Sequence, residues 1–138
     1  MNWSAITLFS FFQAGLLSLW LIMGHWGLLG NELLVPLLAY LFTYLFPVFM
    51  VGVIVKSRFF LHGCLVAVFG SLLGFIAMFF SSLIFIPSGE DPVGIGQAVV
   101  EIASFAALFG LILSPVAGLF SDFVGNIRNK NSDKRKSN

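Results

Sequence analysis

Apolar residues fill four long stretches of this chain, and polar residues gather in the short gaps between them. The stretches are continuously apolar rather than alternating, so they read as helices and not as barrel strands. They cover residues of about 5–26, 33–55, 59–86 and 96–121. A run of about 20 apolar residues, at ~1.5 Å rise each, crosses a bilayer core of ~30 Å. The pattern therefore predicts an all-α fold, an integral membrane four-helix bundle over residues 1–125. Residues 126–138 are polar and basic and are expected to form a disordered tail.

The gaps carry turn chemistry. Gly27, Gly30, Asn31 and Glu32 separate the first two stretches. Lys56-Ser57-Arg58 is so short that the second and third must form a tight hairpin. Pro87 to Pro92 hold two prolines, a glycine and two acids before the fourth. Trp3 and Trp26 flank the first stretch, where indoles favour the membrane interfaces. Pro47 and Pro115 fall inside apolar runs, and bends are expected at both.

Composition changes the picture by naming the solvent. Of 138 residues, 59% are hydrophobic and 9% charged. A soluble domain carries about 25% charged residues, so lipid must cover most of this exterior. The net charge of +1 says little, because the charges are segregated. Lys56 and Arg58 form one basic patch; Arg128, Lys130, Lys134, Arg135 and Lys136 form the other. Basic residues flanking spans stay on the cytoplasmic side. Two spans separate the patches, so both face inward, as do both termini. Glu32, Glu90 and Asp91 then fall outside. No Lys or Arg precedes residue 56, so the first run is expected to be a span and not a secretory leader. The expected location is a plasma membrane, read as the bacterial inner membrane.

Small residues trace a seam. Gly63, Ala67, Gly70, Gly74, Ala77 and Ser81 share one face of the third helix. Ala103, Ala107, Gly110, Ser114, Ala117 and Ser121 repeat the same spacing in the fourth. Laid antiparallel, Gly63 pairs with Ser121, Ala67 with Ala117, Gly70 with Ser114, Gly74 with Gly110, Ala77 with Ala107 and Ser81 with Ala103. Close backbone approach supplies the dispersion contacts that hold helices together in lipid. The seam is expected to pack the hairpin or, through the same face, to join two copies of the chain.

Candidate chemistry is sparse. Glu101 is the acid placed within an apolar run, with Gln97 one turn before it and Gln13 in the first span. An intramembrane carboxylate is a candidate for ion or proton handling, and its register places it about one turn inside the outer boundary, where water can reach it. His25 and His62 lie at opposite ends of the bundle and are expected to be separate interfacial residues. Cys64, the only cysteine, is expected to be a small packing residue. No nucleophile–base pair, metal-ligand spacing or phosphate loop is present, so neither an enzyme nor a metal or cofactor is expected. The leading expectation is a non-enzymatic accessory, assembly, regulatory or immunity-type protein working by transmembrane helix contacts. Its partners would be the lipid bilayer and another membrane protein or a second copy, not nucleic acid. The alternative is a small oligomeric transporter or channel subunit using Glu101 with Gln97 or Gln13.

Overall fold

The computed structural model describes residues 1–28, 30, 34–85 and 92–136. The turn residues Glu32, Glu90 and Asp91 lie outside the described residues, as do the side chains of His25, Lys134, Arg135 and Lys136. The described residues form α1 (Trp3–His25), α2 (Leu34–Ile54), α3 (Phe59–Phe85), α4 (Pro92–Ile112) and α5 (Ser114–Lys136). Three of them, α1 to α3, are long and apolar enough to cross a membrane. Taken as one bent unit, α4 and α5 make a fourth.

Each boundary has a local cause. Asn2 caps α1 by accepting the Ala5 N–H through its side-chain oxygen, at 3.1 Å. Arg58 starts α3 from a left-handed conformation, φ 54°, and its carbonyl accepts the His62 N–H. Helix α2 runs through Pro47 without a break. The fourth stretch does break, by 53° at Leu113. Pro115 lies two residues on; it has no N–H for the Leu111 carbonyl, and its ring crowds the preceding turn. The helical bonds from Leu113 to Phe109 and from Ala117 to Leu113 persist, so the chain bends without losing continuity.

The tail departs from expectation. Residues 126–136 continue α5 as helix instead of forming a disordered segment. Helix propagation costs little once a turn exists. Side chains also support this turn of α5: Asn126 donates to the Asp122 carboxylate one turn back. Arg128 donates to the Val53 carbonyl at the end of α2 and lies over the Phe59 ring.

Helix α3 is the centre of the bundle, packed on α1, α2, α4 and α5. One apolar cluster joins Ile6, Phe9, Val48, Val51, Val66 and Ala117 near the Lys56 end. A second joins Leu17, Leu21, Tyr40, Met78, Val99 and Ala103 near the opposite end. Helix α4 is peripheral: it rests chiefly on α3 and meets α5 only near the bend.

The small-residue pairing is redistributed. A side chain at Gly63 would strike Ser121, Ala117 and Gly118, so α3 and α5 do touch there. Gly70 and Gly74, however, face Gln13 and Leu17 of α1, not Ser114 and Gly110. Gly110 meets Ser71 and Tyr44 instead. The bend is the physical reason, since α4 leaves the line of α5 at Leu113 and a single straight register cannot hold across it. Ala67, Ala103, Ala107 and Ala117 are buried; Ala77, Ser81 and Ser114 are half-buried.

Candidate functional site

The polar residues of the bundle sort into four separate places. The first is the outer face of α4. Residues 97, 101, 105, 108 and 112 recur at helical spacing and so share one face. Gln97 and Glu101 are exposed, and the Gln97 amide donates to the Glu101 carboxylate at 3.1 Å. Phe105, Leu108 and Ile112 continue that face at 70%, 60% and 72% exposure. It is a polar pair at one end of an apolar stripe, on the helix least enclosed by the others.

The second place is the interior of α1 and α3. Ser10, Gln13 and Ser71 are buried, and the Gln13 amide and both hydroxyls have no hydrogen-bond partner. Gly70 makes room for the amide, because a Cβ there would strike it. Gln13 is therefore enclosed by its neighbours, whereas Glu101 stands on the outside. The structure pairs Glu101 with Gln97 and keeps Gln13 apart from both.

The third place is a tyrosine ladder from α2 to α4. Tyr40 donates to the Ala106 carbonyl at 2.8 Å, and Tyr44 to the Gly110 carbonyl at 2.5 Å. Both rings are buried and lie nearly parallel, 6.3 Å apart. Each phenol thus offers its proton to a carbonyl in the last two turns of α4. The Gly110 carbonyl is among the last four of α4, which lack intrahelical donors, whereas the Ala106 carbonyl, inside the helix, accepts the phenol through its second lone pair. The sequence signal was the i, i+4 spacing of two tyrosines in an apolar run, since buried phenols seek acceptors.

The fourth place is the Lys56 end, where His62 is buried, at 1% exposure. The Asn2 N–H donates to its Nε2 at 3.0 Å. A backbone N–H can only donate, so Nε2 accepts and the ring proton sits on Nδ1. That nitrogen donates to the Arg58 carbonyl at 2.8 Å. His62 thus ties the start of α1 to the start of α3. Nothing in the spacing of Asn2 and His62, 60 residues apart, signals this pairing. Cys64 is half-buried and packs against Gly118.

Among the described residues, no three His, Cys, Asp or Glu side chains converge as a metal site would require. No protein-family model, curated protein or solved structure matches the chain.

Proposed function

We propose that this protein is a non-enzymatic membrane accessory protein that docks a partner's transmembrane helix along the outer face of α4. The Gln97–Glu101 pair in line with Phe105, Leu108 and Ile112 carries the reading. A lipid-facing carboxylate costs about 2.5–3.5 kcal/mol at a helix centre and less at the level of Glu101, about one turn inside the outer boundary. A partner helix offering a hydrogen-bond donor at that level offsets the cost and gains specificity, while the apolar stripe below supplies contact area. The weak enclosure of α4 leaves this face free for the purpose.

In this reading the bundle crosses the bacterial inner membrane four times, with α4 and α5 forming one bent span. Both termini and the Lys56–Arg58 turn are cytoplasmic, in keeping with the segregation of basic residues. Reporter fusions after Ser57 and at the C-terminus should report cytoplasm, and a fusion after Gly89 the exterior.

The deciding experiment is site-specific photocrosslinking in native membranes. A probe at Leu108 should capture one discrete partner, and Glu101→Leu should abolish the adduct; a probe at Leu61 should capture none. Only lipid adducts at Leu108 would end the proposal. The Glu101–Gln97 bond also favours a second reading, an oligomeric transporter in which neighbouring copies enclose the pair. Ion flux in proteoliposomes that vanishes in Glu101→Gln would establish it instead.

A further inference from the structure

At the Lys56 end of the bundle an open cavity of about 610 Å³ lies between the start of α1 and the turn joining α2 to α3. Its polar lining comes from Asn2, Ser4, Lys56, Ser57 and His62, and Trp3 stands beside them. A volume of this size lies within the ~300–1,000 Å³ usual for small-molecule sites. Three features give it one electrostatic character. Lys56 is the charged side chain of the lining, and no Asp or Glu contributes to it. Lys56 also makes no hydrogen bond or ion pair among the described residues. By contrast, Arg128 at the same end is already engaged with Val53 and Phe59.

Helix geometry adds donors. The first turn of a helix has amides with no carbonyl to meet. Here the Ile6 N–H reaches the Asn2 carbonyl and the Ala5 N–H reaches the Asn2 side chain, which leaves those of Trp3 and Ser4. The amide of Asn2 is taken by His62, which holds this helix end against the wall of the cavity. The positive end of the α1 dipole, two hydroxyls and one uncommitted ammonium therefore converge on a single open space. Trp3 is 56% exposed beside this space, and indoles favour the headgroup region of a membrane.

We infer that this cavity binds the phosphate headgroup of an anionic phospholipid from the leaflet on the Lys56 side. Lys56, the Ser4 and Ser57 hydroxyls and the first amides of α1 contact the phosphate oxygens. The acyl chains run down the apolar exterior of the bundle. Basic pockets between membrane helices are a recurrent solution for such headgroups. The site is distinct from the α4 face and does not depend on it.

Native mass spectrometry of the full chain in detergent tests the inference. Phosphatidylglycerol, phosphatidylcholine and inorganic phosphate are added in separate arms. The expected result is one phosphatidylglycerol retained per chain, in preference to phosphatidylcholine, and not displaced by millimolar phosphate. Lys56→Gln should weaken retention by about five-fold. Ser4→Glu, which sets a carboxylate in the cavity, should abolish it. Lys130→Gln should leave it unchanged, and circular dichroism should show all three variants helical. Equal retention of the two lipids, equal loss from Lys56→Gln and Lys130→Gln, or displacement by phosphate alone would each overturn the assignment.

Discussion

Tyr44 donates its phenolic proton to the Gly110 carbonyl across 2.5 Å, joining the middle of α2 to the last turn of α4. The bond sits just before the bend at Leu113. Tyr40 repeats it one turn away with Ala106. These two phenols add a polar fastening to a helix whose apolar residues already pack on α3 and on Leu17, Leu21 and Tyr40.

Removing the fastening should cost stability in proportion. Tyr44→Phe keeps the ring and leaves the Gly110 carbonyl without this donor, so a loss of about 1 kcal/mol is expected. Tyr40→Phe should behave alike. Phe42→Leu, at a position 61% exposed, is the control. Reversible unfolding in mixed micelles measures all three, and a Tyr44→Phe variant as stable as the parent would show that the bond contributes nothing net.

The glycines of α3 predict a specific crosslink. An ideal Cβ built on Gly74 lies 3.5 Å from the Leu17 Cβ, within the ~3.5–4.5 Å that a disulfide spans. In a Cys64→Ala background, cysteines at positions 17 and 74 should oxidise within one chain. The pair at positions 74 and 110 should not. Non-reducing gel mobility after mild oxidation decides, and efficient linkage of 74 to 110 would restore the straight seam.

The buried amide predicts a gain. Gln13 is fully buried with neither amide atom paired, which costs roughly 1–3 kcal/mol. Gln13→Met keeps the length of the side chain and removes the polar atoms, so the variant should be more stable than the parent by about 1 kcal/mol or more. Gly70→Leu should act in the opposite sense, because the new side chain occupies the place of the amide and parts α1 from α3. A destabilised Gln13→Met would mean that the amide makes a favourable interaction in the membrane.

The link between the helix starts predicts a local change. His62→Leu removes the acceptor of the Asn2 N–H while retaining an apolar filling of the site. Amide exchange at Asn2 and Ala5, the two bonded amides of this end, should quicken by about five-fold, the equivalent of ~1 kcal/mol. Exchange in the middle of α3 should stay unchanged. Uniform acceleration across the chain would show that His62 supports the whole bundle and not this end.

The helices themselves were legible from the chain alone, because a helix satisfies its backbone internally and a continuous apolar run leaves few alternatives. The Lys56–Arg58 turn and the bend near Pro115 were equally local. Tertiary structure decided which neighbour each small residue admits. A glycine permits close approach but does not choose the helix that approaches, so Gly70 and Gly74 accept α1 once the 53° bend carries α4 off the line of α5. The same holds for His62, which finds Asn2 across 60 residues, and for Gln13, which is enclosed while Glu101 stands outside. Periodicity names the face of a helix, but the partner of that face depends on the path of the rest of the chain.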